Sequence, residues 1–239
     1  MDVSARELSP GLWRWTAPHP DWTPEKDKPG GWGQQVGCLY LESPEGIVLI
    51  DPLAPPEGTE EARRFWEALD ADVARLGKAV VVLLGNRFHQ RSAQAVLERY
   101  RGKPGARILA PEKARPFLNC EIASTFRAGD SLPGGVQAFA VSGLDGPDET
   151  VFFLPGVRAL VCADALIGAG QGRVRVPPAW WAQNTPEGQE RYKKEFRASL
   201  TPLMELQPEM ILTSHGEPVL TGGAAALAEA LDSLAWGSE

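Results

Sequence analysis

One order of elements occurs twice along this chain, and it constrains the fold more than any single motif does. Gly37 to Glu42 and Ile47 to Asp51 are apolar strand candidates joined by Ser43-Pro44-Glu45-Gly46, a hairpin turn rich in the residues that bend backbone. The hairpin ends in Asp51-Pro52-Leu53. A helix is predicted next, because Thr59 is placed to cap it and Glu60 and Glu61 lie in its first turn, where carboxylates suit the positive end of the helix dipole. Ala62, Phe65, Trp66, Leu69, Val73 and Leu76 then recur at helical spacing. Ala79 to Leu84 is a continuous apolar run, the mark of a strand buried on both faces, and it opens into the polar loop Gly85 to Arg91. Ser92 is expected to cap a short helix carrying Ala93, Val96, Leu97 and Tyr100 on one face, stopped by Pro104 and Gly105.

The second half repeats the order. Gln137 to Val141, Thr150 to Leu154 and Leu160 to Ala163 are strand candidates, with Pro155-Gly156 as the turn and Asp164-Ala165-Leu166 as the ending. Thr185-Pro186-Glu187 starts a helix whose stripe is Tyr192, Phe196, Leu200 and Leu203, with Pro202 disturbing its end. Met210 to Thr213 is again a buried strand that opens into a loop with a histidine, Ser214-His215-Gly216. Thr221 is the expected cap of a last helix with Leu227, Leu231 and Leu234 inward. Hairpin, helix, buried strand and histidine loop, twice, predict two pseudo-equivalent halves facing each other.

Composition bounds the function. At 239 residues and 43% apolar content, residues 1 to 239 are expected to form a single domain. A net charge of -7 without Lys/Arg-rich runs gives no footprint for nucleic acid or an acidic membrane, which leaves small molecules or proteins as partners. The three cysteines, Cys38, Cys120 and Cys162, lie far apart and read as small apolar residues rather than a disulfide framework or zinc ribbon. No apolar run reaches signal-peptide or membrane-span length, so a cytoplasmic location is expected. No Gly-x-Ser-x-Gly elbow, dinucleotide fingerprint or phosphate-binding loop is present.

The loops after the buried strands are where a layered α/β protein places its ligand site. Those segments, GIVLIDP, VVLLGNRFHQRSA, VCADAL and TSHGEP, in that order between about Gly37 and Leu220, resemble the metallo-β-lactamase superfamily. The resemblance implies a four-layer αββα sandwich and, in typical members, hydrolysis of small esters, thioesters, amides or phosphodiesters by a zinc-bound hydroxide. The family's His-x-His-x-Asp-His pattern falls on Asn86, Phe88, Gln90 and Arg91, and its next histidine on Leu144, with Asp145 adjacent. Only Asp164, at the place of the bridging aspartate, and His215, at that of the last histidine, match.

The cleft is therefore expected to be lined by Asn86, Arg87, Phe88, His89, Gln90, Arg91, Leu144, Asp164 and His215, with Trp180 and Trp181 as a wall or lid. No metal or other cofactor is favoured. The expectation is instead that Arg91 takes over the metal's charge by pairing with Asp164, while His215 and Asn86 complete the hydrogen bonds, because a buried carboxylate needs a cation or a proton. Arg173 and Arg175 could hold an anion beside the tryptophans, and alternating arginines on an exposed strand explain the same letters. Asp51 reads as structural, bonding nearby amides. Trp13, Trp15, Trp22 and Trp32 enrich the first segment in aromatics without a functional reading. Three functions follow: a non-hydrolytic protein binding a small anionic ligand, a hydrolase with one zinc or iron on His89, Asp164 and His215, or a structural, partner-binding protein.

Overall fold

In the computed structural model, which describes residues 5–27, 30–102, 104–146, 148–182 and 185–233, strands β1 (Arg6–Ser9) and β2 (Leu12–Pro18) open a seven-stranded sheet. It continues in chain order through β3 (Gln35–Ser43), β4 (Gly46–Ile50), β5 (Val80–Leu83), β6 (Ala106–Pro111) and β7 (Ser124–Phe126). The β3–β4 hairpin is antiparallel and β5 joins β4 in parallel after the crossover helix α1 (Glu60–Leu76); α2 (Ala93–Arg99) links β5 to β6. The second sheet is built from β8 (Ser131–Leu132), β9 (Val136–Ala140), β10 (Thr150–Leu154) and β11 (Ala159–Cys162). A small ribbon, β12 (Ile167–Gly170) with β13 (Arg173–Arg175), and the helices α3 (Pro186–Arg191) and α4 (Arg197–Leu200) precede its last strand. That strand, β14 (Met210–Thr213), lies parallel to β11, whose partner β10 is antiparallel, and α5 (Gly223–Asp232) closes the described chain. The order repeated in the sequence is thus a unit repeated in space: antiparallel hairpin, helical crossover, parallel strand.

The layering follows from which side of each strand is apolar. Because side chains alternate across a strand, a fully apolar strand must face apolar surface twice. Val48, Ile50, Val81 and Leu83 point toward Phe152, Leu154, Val161 and Leu212, so the two sheets share a central core. Ile47, Leu49, Val80 and Val82 point the other way, onto Leu69 and Val73 of α1 and Val96 and Leu97 of α2. Val151, Phe153 and Leu160 pack on Tyr192, Phe196, Leu200 and Leu227. Three apolar interfaces between four layers make the αββα sandwich.

Local chemistry explains the element ends. Thr59 Oγ1 accepts from the Ala62 amide at 3.1 Å, and Gly77 stops α1 in the left-handed backbone its missing Cβ permits, φ 62°. Ser92 stands at the start of α2, yet its hydroxyl accepts from the Ala54 amide instead of capping. The last helix differs from expectation: Gly222, not Thr221, is its cap residue, and Leu234 lies outside the described residues. The stripe from Tyr192 to Leu203 is carried by a π segment at Tyr192–Phe196, α4, and a 3₁₀ stretch beginning at Thr201, where Pro202 removes an amide donor. The N-terminal hairpin, β6 to β8 and the β12–β13 ribbon have no counterpart in the repeated order. No described helix is long and apolar enough to cross a membrane.

Gly216 (φ 77°) follows His215, and its backbone lies against Gly168, whose amide donates to His215 O at 2.8 Å. A Cβ at Gly216 would overlap the Gly168 carbonyl in a backbone region that L-residues avoid. Gly216→Ala is expected to destabilise the fold by about 2–4 kcal/mol, read as a lower denaturant midpoint. An unchanged midpoint would mean that the two loops do not touch.

Candidate functional site

Because β4 and β5 run in parallel, as do β11 and β14, their carboxyl ends emerge at one edge of the sandwich. Asp51 follows β4, His89 lies in the loop after β5, Asp164 follows β11 and His215 follows β14. Asp51 is held in left-handed backbone, φ 49°; its Oδ1 accepts the Gly85 amide at 2.7 Å and its Oδ2 meets His89 Nδ1 at 2.8 Å. Asp164 Oδ1 lies 3.1 Å from His215 Nε2 and 3.5 Å from His89 Nε2. Asp164 Oδ2 accepts from Asn86 Nδ2 at 2.8 Å, and the same amide nitrogen donates to Glu149 Oε2 at 2.8 Å. Glu149 Oε1 in turn accepts the Asp164 and Ala165 amides, each at 2.8 Å.

These contacts set the protonation states. Burial, reinforced by neighbouring Asp164, pushes the Glu149 carboxyl up to about 8. Burial pushes Asp164 the same way, but His89 and His215 outweigh it and hold its carboxyl well below the usual range. Burial and Arg91 act to lower His89, and Asp51 and Asp164 prevail, raising it to about 9. His215 is lowered, chiefly by burial. As a neutral ring donating from Nε2 to Asp164, it keeps a buried Nδ1 without a hydrogen-bond partner.

The expected Arg91–Asp164 pair does not form. Arg91, itself at φ 33°, donates to Asp51 O at 3.0 Å and Ser214 Oγ at 2.9 Å, and its Nη2 lies 3.3 Å from His89 Nε2. His89 takes the place beside Asp164 that was expected for Arg91, so the contact chain runs from the guanidinium through the imidazole to the carboxylate. Asp51 is more than structural, because its second oxygen orients His89.

Above this cluster lies a cavity of about 420 Å³. Asn86, His89, Arg91, Asp164 and His215 form its floor, while Phe88, Leu144, Trp180 and Trp181 line it further out. Arg87 and Gln90 do not line it: Arg87 pairs with Asp148 and lays its guanidinium 3.7 Å from the Phe117 ring centre, and Gln90 accepts the Asn119 amide. Arg173 and Arg175 also stand away from it, on the β13 ribbon, where Arg175 donates to Gly31 O. Sequence reasoning missed the contribution of the first segment. His19 and Trp32 line the cavity, so all three histidines of the chain meet there, and the Trp32 ring lies tilted against that of His215, their centres 4.7 Å apart. Trp22 fixes that wall by donating from Nε1 to Trp32 O. The aromatic enrichment was the available signal. Glu149 was missed as well.

Among the described residues, His89, Asp164 and His215 form a group whose ligand atoms all lie within 4.8 Å of one another. Three donors of these types suit one open-position ion, and a carboxylate behind a ligating histidine, as Asp51 stands behind His89, is the usual support. With its proton on Nδ1 toward Asp51, His89 would offer Nε2 to such an ion, and Arg91 Nη2, 3.3 Å from that nitrogen, is the group an ion would have to displace.

No family model and no curated protein matches the chain. Solved structures do. A metallo-β-lactamase family protein of Thermus thermophilus superposes with a TM-score of 0.61 at 18% identity, covering 93% of this chain and 79% of that one. A metallo-β-lactamase of Hirschia baltica gives 0.64 at 11% identity over 100% of both chains. The FIM-1 metallo-β-lactamase of Pseudomonas aeruginosa, solved in a mono-zinc form, gives 0.63 at 11% identity, covering 98% of this chain and 97% of its own. The chain has the metallo-β-lactamase fold.

The raised groups set the pH response of stability. Glu149 favours folding fully below its unfolded value of 4.5, and that contribution is lost as pH rises toward about 8. His89 does the same between its ordinary 6.5 and about 9. The melting temperature is expected to fall from pH 7 to pH 9, above the range below 6.5 in which the lowered His19 and His215 add stability as pH rises, with Glu149→Gln flattening the lower part of the slope and His89→Gln the upper. A profile unchanged by either substitution would contradict the assigned protonation states.

Proposed function

We propose that the cavity binds a small molecule, and that the protein does not act through the metal centre its fold ordinarily houses. The observation that carries this reading is the state of His89, whose two ring nitrogens are engaged by Asp51 on one side and by Arg91 and Asp164 on the other. Two carboxylates, Asp51 and Asp164, face two cations, His89 and Arg91. With His89 protonated, the cluster balances its own charge without an ion. An open cavity above it speaks for a ligand and against a purely structural role, in which the protein's own side chains would fill the space. The three cysteines are unpaired thiols, which suits a reducing cytoplasm.

A second reading, a hydrolase with one zinc or iron on His89, Asp164 and His215, is supported by the closeness of those three donors. It requires Arg91 to leave His89 Nε2. Metal content by plasma mass spectrometry, on protein purified without chelator or affinity tag, separates the two. Well below one equivalent of zinc, iron or manganese is expected in the wild type, even after incubation with zinc, and Arg91→Met is expected to gain zinc because the His89 lone pair is released. About one equivalent in the wild type, lost on His215→Ala, would make the hydrolase the correct reading.

A further inference from the structure

Resting on the reading of the cavity as a small-molecule site, we infer that its ligand carries an organic ammonium group, held between the aromatic wall and the carboxylates at the mouth. The wall is Trp32, Trp181, Trp180 and Phe88. Indole faces attract cations through the ring quadrupole, tryptophan most strongly of the aromatic side chains. The chain already shows this affinity with its own side chain: the Lys26 ammonium, which also lines the cavity, stands 5.4 Å from the Trp32 ring centre.

Charge at the cavity points the same way once the committed groups are set aside. The cations are occupied, His89 between Asp51 and Asp164, Arg91 with two backbone carbonyls, Ser214 and His89, and Lys26 with Asp21 O at 2.6 Å and the Trp32 face. Among the acidic groups, Asp148 is paired with Arg87, Glu149 is held by Asn86 and two amides, and Asp164 by the histidines. Asp21 and Asp145 also line the cavity, are exposed, and form no ion pair among the described residues. Asp145 is fixed beside the wall, because its amide donates to Trp181 O at 3.2 Å. The uncommitted charge is therefore negative and adjoins tryptophan, a combination that selects a cation with an apolar coat over an anion. The expectation of an anionic ligand placed Arg87, Arg91, Asp164 and His215 around it; Arg87 pairs with Asp148 away from the cavity, and the Nη groups of Arg91 are engaged by Asp51 O and Ser214 Oγ.

Tryptophan fluorescence or isothermal titration with three probes of similar size tests this on the whole protein: tetramethylammonium, the uncharged neopentyl alcohol, and pivalate. Tetramethylammonium is expected to bind saturably and about tenfold more tightly than either other probe. Asp145→Asn, a surface change that leaves the floor untouched, should weaken it several-fold, and Lys26→Met should tighten it by removing the competing ammonium. Equal or tighter binding of neopentyl alcohol or pivalate would overturn the ammonium assignment while leaving the cavity a small-molecule site. Saturable binding by none of the three would overturn the ammonium assignment too. The metal measurement would then decide whether the reading beneath it also falls.

Discussion

Asp164 is the point on which the site hangs. A carboxylate drawn into a protein interior must be neutralised, either by a proton or by positive charge brought to it. Here His89 and His215 supply that charge and those hydrogens, and Asn86 takes the remaining oxygen. Asn86 and His89 follow β5 and His215 follows β14, so the demand of one carboxylate, itself after β11, draws together the carboxyl ends of β5, β11 and β14. Glu149 is recruited at one remove. It is held by the amides of Asp164 and Ala165 and by the second use of Asn86, and shedding its charge is the cheaper course with Asp164 so close.

The same reasoning accounts for the two non-glycine residues in left-handed backbone at the cluster. Asp51 and Arg91 are held at positive φ because each makes several bonds that only that backbone path permits. The conformational cost falls on the loops. The strands below keep ideal pairing, as the unbroken registers of β4 with β5 and of β11 with β14 show.

The layered fold was legible in the sequence because it is written as pattern. Uninterrupted apolar strands, the Thr59 cap and the repeated Asp-x-Leu ending report local rules that tertiary structure did not overrule. The site was legible in its membership and less so in its wiring. His89, Asp164 and His215 were found as candidates, but the partner of Asp164 was misassigned, since charge type alone cannot tell which of two neighbours, His89 or Arg91, a turn of unusual φ will send toward it. Glu149 was overlooked because glutamate is ordinarily exposed, and only the backbone amides waiting at Asp164 and Ala165 make its burial tolerable. Trp32 and His19 carried no positional signal, lying in a segment without periodicity.

The division of the cavity into floor and wall has an evolutionary meaning. The floor is made of strand ends, so replacing Asp164 or His215 disturbs buried groups of both sheets. The wall comes from segments far apart in the chain, the stretch around Trp32, the turn at Phe88 and the loop at Trp181, none of them inside a sheet. Selection can therefore reshape what this protein recognises one loop at a time, while the scaffold beneath stays as it is. A fold built this way can diversify by exchanging what surrounds its centre rather than the centre itself.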